Sequence, residues 1–180
     1  MRTLLPPMMF LLAAGLAGCG SSSGHYDTIA NYISIHDGSV AVHAPGRADA
    51  DISAAGDLSI DGATIAVTLA QRDLLKHYYD TALVLRDHGI ATGNAGVATA
   101  GKAIASVASG LASGTPDRID SEVNASAAKV EAKAALVCDD LTELRSTQNT
   151  LASQLPAFQP YALIRSHDAD DCRGTVKHRD

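Results

Sequence analysis

Residues 123–158 read VNASAAKVEAKAALVCDDLTELRSTQNTLASQLPAF. Val123, Val130, Val137, Leu144, Leu151 and Phe158 recur at intervals of seven. Ala127, Ala134, Leu141, Gln148 and Leu155 occupy the intervening positions at the same interval. An apolar position about every 3.5 residues is the a/d seam of a helix that packs along its length against another helix. Gln148 is the one polar member of that seam. Pro156 predicts the end of the helix, because proline has no amide hydrogen and its ring clashes with the preceding turn. At the other end, Gly114-Thr115-Pro116 predicts a start, with Thr115 as N-cap and Pro116 in the first helical position.

The partner for this seam lies upstream. Thr68 and Gln71 form a Thr-x-x-Gln capping box, whose two side chains satisfy amides that the first helical turn leaves open. Leu75, Tyr78, Ala82 and Leu85 follow at spacings of three and four, and Leu74 and Leu83 widen the stripe. Of the adjacent Tyr78 and Tyr79, one is expected to pack and the other to stay half-exposed. Gly89 to Asn94 reads as a weak point, since Gly89 and Gly93 each cost a helix about 1 kcal/mol relative to alanine. Val97, Ile104, Val107 and Leu111 then resume the stripe among Gly96, Ala100, Gly101, Ala105 and Ala108. At about 1.5 Å per residue, residues 116–155 would span about 60 Å and residues 69–112 about 65 Å. Two matched helices joined only by Ser113–Thr115 must run antiparallel. The Val/Leu seam is expected to pack on the small-residue face.

Ahead of the helices the period changes from helical to alternating. Ile33 and Ile35, Val40 and Val42, Ile52, Leu58 and Ile60, and Ile65 and Val67 alternate with polar or small neighbours. His36-Asp37-Gly38, Ala44-Pro45-Gly46, Ala55-Gly56-Asp57 and Asp61-Gly62 punctuate these runs. Asp-Gly between apolar runs is a strong hairpin signal, because both turn residues need positive φ. Residues 34–42 also echo residues 59–67 apart from the inserted His36. The fold class that follows is α+β: a small antiparallel β-meander of four to five strands, then a long antiparallel helical hairpin. Its boundaries are 28–67 for the meander, 68–155 for the hairpin and 156–180 for a tail, within one domain of residues 28–180.

Residues 1–18 form a leader. Arg2 supplies a positive charge, Leu4 to Leu16 an apolar core, and Ala17-Gly18 the small residues that precede a signal-peptidase cut. The core is shorter than the roughly 20 residues that span a bilayer. Leu16-Ala17-Gly18-Cys19 resembles the lipobox of bacterial lipoproteins, which implies a lipid on Cys19, a cut before it and an acylated new N-terminus. The alternative is an ordinary secretory signal with an accidental cysteine. Residues 19–27 then become the lipidated cysteine and its tether, with Gly20-Ser21-Ser22-Ser23-Gly24 as a flexible segment. One acyl chain binds a membrane marginally and several bind durably. In Gram-negative lipoproteins Asp after the cysteine favours inner-membrane retention; Gly20 stands there, which points to the outer membrane, periplasmic side.

With Cys19 committed to lipid, only Cys138 and Cys172 are left to pair in an oxidising compartment. A bridge between them would contribute roughly 3–4 kcal/mol on the chain-entropy account; free thiols or an intermolecular bridge are the alternatives. The formal charge is −6, and removing residues 1–18 takes away Arg2 and no acid. A mature chain this acidic has no basic patch for nucleic acid.

Chemistry is hard to find. His25, His36, His43, His77, His88, His167 and His178 are scattered, with no His-x-His or HExxH spacing. His167-Asp168-Ala169-Asp170-Asp171 lacks the glycine and distal glutamate of an EF-hand loop and reads as a solvated acidic tail. Gly93-Asn94-Ala95-Gly96 follows a helix, where a dinucleotide fingerprint needs a strand. Asp57 and Asp61 have a sufficient role as turn residues. No catalytic residues, metal ligands or cofactor are assigned, and ligand-binding residues are left open.

The run Ala48-Asp49-Ala50-Asp51-Ile52-Ser53-Ala54-Ala55-Gly56-Asp57-Leu58-Ser59-Ile60-Asp61-Gly62, with Val67-Thr68-Leu69-Ala70-Gln71-Arg72 and Tyr78-Tyr79, resembles the YggN-like family of uncharacterised proteobacterial envelope proteins. The likeness extends through the glycine-rich helix to Leu155-Pro156-Ala157-Phe158. It departs at the lipobox, since that family is associated with ordinary export. The resemblance implies a Gram-negative periplasmic setting and carries over no site residues. The expected function is a non-enzymatic envelope lipoprotein, membrane-bound through Cys19, that scaffolds or binds an envelope protein partner. The alternatives are a binder of a small hydrophobic or lipidic ligand between sheet and helices near Tyr78, and an enzyme with a dispersed site using His36, His43 or His77.

Overall fold

The computed structural model describes residues 32–113 and 117–177. The leader, Cys19, the tether and the Gly114-Thr115-Pro116 junction lie outside the described residues. Five strands come first: β1 (Ile33–His36), β2 (Ser39–Val42), β3 (Ala50–Ser53), β4 (Leu58–Ile60) and β5 (Ala63–Ile65). They pair antiparallel in chain order, as a meander. Asp37 and Gly38 have φ of 49° and 76°, and Asp61 and Gly62 have 54° and 72°. Both Asp-Gly pairs therefore make the two-residue turns expected of them. Val67 lies beyond β5 and packs against the core from an irregular segment.

The register lines up the large apolar residues of the meander on one face. Val42 stands between Ile33 and Ala50, and Ala50 faces Ile60. In the next row Val40 stands between Ile35 and Ile52, Ile52 faces Leu58, and Leu58 faces Ile65. A sheet with one apolar face needs a second layer, and the helices supply it.

Helix α1 (Leu69–Ser113) and helix α2 (Asp117–Gln154) are about 68 Å and about 57 Å long at about 1.5 Å per residue. They pack side by side as a hairpin. The capping box forms as read. Thr68 N–H donates to Gln71 Oε1 at 2.9 Å and Gln71 N–H to Thr68 Oγ1 at 3.2 Å. Gln71 Nε2 also donates to the carbonyl of Gln154 at 2.7 Å, so the start of α1 caps the end of α2. Gly56, with φ of 77°, lets the β3–β4 turn lie against this first turn. A Cβ there would collide with the backbone carbonyl of Arg72.

The glycine segment departs from expectation. α1 runs without interruption through Gly89–Asn94. Two glycines weaken a helix without forbidding it, and no proline interrupts the ladder. The small-residue face also does not meet the seam as expected: the space beside the Cα of Gly89, Gly93, Gly96 and Gly101 is open.

The heptad seam does face inward along its described length, but the two ends differ. Leu141, Leu144, Gln148, Leu151, Leu155 and Phe158 are buried. Val123, Ala127, Val130, Ala134 and Val137 are half-buried. On α1 the buried residues are Leu75, Tyr78, Tyr79, Thr81 and Ala82. The core therefore sits at one end of the hairpin, under the sheet, and the other end is a two-helix arm.

The tail is ordered by three devices. A 3₁₀ helix at Pro156–Tyr161 buries Phe158 and Tyr161, and Tyr161 Oη donates to the carbonyl of Ala48 at 2.7 Å. Gln148, buried in the seam, bonds both backbone groups of Ile164: its Nε2 donates to the carbonyl at 2.8 Å, and Ile164 N–H donates to its Oε1 at 3.0 Å. Helix α3 (Ser166–Lys177) follows, and its Cys172 is disulfide-bonded to Cys138 of α2, with Cα atoms 5.6 Å apart. The expected solvated acidic tail is instead the first turn of this helix. Asp168 is buried and accepts from Arg165 N–H at 2.7 Å.

Replacing Gln148 by leucine keeps the volume of the seam and strands the N–H and C=O of Ile164. Gln148→Leu should therefore lose about 2 kcal/mol in urea unfolding. An unchanged midpoint would remove the clamp from the account.

Candidate functional site

The histidines, scattered in sequence, are sorted by the fold into pairs. His77 Nε2 lies 2.8 Å from Glu143 Oε1, and His88 Nδ1 lies 2.5 Å from Asp140 Oδ2. Both pairs bridge α1 and α2. His167 lies 3.3 Å from Asp168, and His36 is exposed beside the first hairpin turn. His25 and His178 lie outside the described residues. Among the described residues no three His, Cys, Asp or Glu side chains converge as a metal site.

One arrangement was invisible in the sequence. Ser34 Oγ lies 2.7 Å from His43 Nε2, and His43 Nδ1 lies 2.8 Å from Asp49 Oδ1. Hydroxyl, imidazole and carboxylate are thus connected through opposite ring nitrogens, as in a nucleophile–base–acid triad. Alternation along the strands explains the meeting. Ser34 and His43 project from the face opposite Ile33 and Val42, on either side of that pair in the ladder, and Asp49 precedes β3. The surroundings do not extend it to an acyl-transfer centre. His43 N–H donates to the carbonyl of Tyr32 at 2.8 Å, so the ladder parity makes Ser34 and Ala41 a hydrogen-bonded pair. The N–H of Ser34 is then spent on the sheet and cannot serve an oxyanion. His43 and Asp49 are 33% and 49% exposed, which weakens their electrostatic coupling. The trio fixes the β2–β3 connection against β1.

The remaining residues singled out by sequence find structural roles. Asp57 pairs with Arg72, and its own N–H donates to Ser53 Oγ at 3.1 Å. Asp61 occupies its turn. Tyr78 and Tyr79 are both buried, where one was expected to be half-exposed. Tyr78 packs edge-on to Phe158, with ring centroids 5.7 Å apart, so it fills the layer between sheet and helices. Its hydroxyl has no hydrogen-bond partner among the described residues, and burial pushes its ionisation well above the ordinary tyrosine value.

Two surfaces are left. On the arm, Ile90, Val97 and Ile104 of α1 are 56%, 76% and 73% exposed. Seven residues advance an ideal helix to within about 20° of the same direction, so these three form one stripe. The only formal charge in residues 89–106 is Lys102. Near the disulfide, a cleft of about 370 Å³ lies between the three helices. Among the described residues no helix is long and apolar enough to cross a membrane.

Protein-family models, curated proteins and solved structures give no match to this chain. The resemblance to the YggN-like family rests on its sequence motifs alone.

The Tyr78 hydroxyl gives a pH signature. Because burial raises its pKa in the fold, the unfolded chain ionises first, above about pH 10. Stability is retained below that pH and lost as pH rises past it. Tyr78→Phe should unfold about 1 kcal/mol later at pH 7, with the gap widening above pH 10. A gap that stays constant from pH 7 to 11 would contradict the assignment.

Proposed function

We propose that this chain is a lipid-anchored protein of the bacterial envelope, held at the outer membrane by Cys19 and facing the periplasm. Its helical arm engages an envelope protein, and the role is non-enzymatic. The leader and Leu16-Ala17-Gly18-Cys19 support the anchor, and the Cys138–Cys172 bridge suits an oxidising compartment.

The observation that carries the interaction role is the exposed stripe Ile90-Val97-Ile104. Large apolar side chains repeated at seven residues match a helical partner better than an irregular one. The neighbouring Gly93, Ala100 and Gly101 are exposed too and leave room for close approach. Burying such a stripe contributes about 25 cal/mol per Å² of apolar surface. The base of the molecule, with its buried sheet and tail, acts as the mount. The glycine- and serine-rich sequence of residues 20–24 suits a tether between the membrane and the mount.

Two readouts test this in cells. Cys19→Ala should abolish incorporation of labelled palmitate and release the protein from the membrane fraction; persistent labelling would refute the anchor. A photocrosslinker at Val97 should yield a discrete adduct that the same group at exposed Lys133 does not. Identical patterns at both positions, or none at Val97, would refute the arm as the interaction surface.

A further inference from the structure

The cleft near the disulfide has a chemistry of its own. Its walls are Val130, Ala134 and Val137 of α2, Cys172 and Val176 of α3, and Gly89 of α1. These are apolar or bare backbone. The polar side chains that line it are Thr92, Glu131 and Thr175. Thr92 Oγ1 donates its hydrogen to the carbonyl of His88 at 2.8 Å, and Thr175 Oγ1 donates to the carbonyl of Asp171 at 2.8 Å. Each hydroxyl therefore offers the cleft a lone pair and no proton. Glu131 contributes a carboxylate, again acceptor only, and makes no hydrogen bond or ion pair among the described residues. The backbone amides of the three helices are spent within their ladders. Lys129 and Lys133 are exposed and stand about 200° round α2 from Glu131, at about 100° per residue. Arg173 is turned to Asp139, 3.0 Å away.

Gly89 adds an independent observation. It sits mid-helix with an ordinary backbone conformation, where alanine would strengthen α1 by about 1 kcal/mol. Nothing lies within 4 Å of where its Cβ would be. Packing among the described residues therefore does not require glycine, and a larger side chain would enter the open space beside the cleft that Gly89 lines.

From an apolar floor, an acceptor-only rim and one unpaired carboxylate, we propose that this cleft binds a small amphipathic cation: a primary ammonium group on an aliphatic or aromatic body. The ammonium donates to Glu131 and the two threonine hydroxyls, which accept without losing their own bonds. The body lies along Val130, Ala134, Val137 and the disulfide. At about 30 Å³ for each water-sized atom, the volume admits a ligand of about ten heavy atoms. A carboxylic acid of the same shape would meet only acceptors and a like charge. This site is separate from the Ile90-Val97-Ile104 stripe and does not depend on the arm's partner.

The test uses the chain carrying Cys19→Ser, in buffer without detergent, titrated calorimetrically with octylammonium, octanol and octanoate. Octylammonium should bind at least tenfold more tightly than octanol, with octanoate undetected. Glu131→Gln, a rim change that keeps the shape, should weaken octylammonium at least tenfold and leave octanol unchanged. Gly89→Leu should abolish binding of octylammonium and octanol while the thermal midpoint holds or rises. Equal affinity for the three probes, or octylammonium binding indifferent to Glu131→Gln, would overturn the cation assignment. Undiminished binding in folded Gly89→Leu would overturn the cleft as the site. If Gly89→Leu does not fold, the Glu131→Gln comparison decides alone.

Discussion

The structure depends on one surface: the seam of α2 from Leu141 to Leu155, where three separately encoded pieces meet. The sheet contributes Val40, Val42, Ile52 and Leu58, α1 contributes Leu75 and Tyr78, and the tail contributes Phe158 and Tyr161. None of these pieces can bury its apolar residues alone. A short meander has one apolar face, an amphipathic helix has one stripe, and a proline-bounded turn has two aromatic rings. Full burial of a single large apolar side chain is worth about 1.5–3 kcal/mol, so the joint core outweighs any local preference in its parts. With so few aromatic residues in the chain, placing Tyr78 against Phe158 at its centre concentrates what large side chains there are.

That concentration divides the molecule. Under the sheet, both helices carry fully buried residues, and Gln148 and the disulfide tie the tail to α2. Beyond Leu85 on α1 and before Cys138 on α2, the described residues are half-buried at best. The arm is held by contact between two helices and by the His77–Glu143 and His88–Asp140 pairs near its root. Exposed or half-exposed pairs of this kind contribute little each. The molecule is a firm base carrying a long extension with exposed apolar surface, and the proposed interaction surface rests on that division.

Much of this was legible in the sequence. Asp37-Gly38 and Asp61-Gly62 fixed two hairpins, Thr68 and Gln71 fixed the start of a helix, and the seven-residue repeat fixed the face of α2. These signals are local, so a single chain displays them. Gly89–Asn94 misled because propensity is a weak term that a continuous helical partner overrides. The tail was underread because 156–177 has no apolar periodicity; its order comes from a distant amide, Gln148, and a crosslink. Ser34, His43 and Asp49 were unreadable as a group because they meet across strands, through register and side-chain alternation. The acceptor-only cleft is likewise a product of three helices and has no sequence motif.

The central claim is that stability is concentrated at the sheet-covered base and falls off along the arm. Native-state hydrogen exchange, read by peptide mass spectrometry, measures this directly. Amides of residues 75–82 and 141–151 should exchange only with global unfolding, and those of residues 95–106 and 123–130 should exchange orders of magnitude faster. Equal protection along both helices would contradict the account, because it would place the arm in the same cooperative unit as the core.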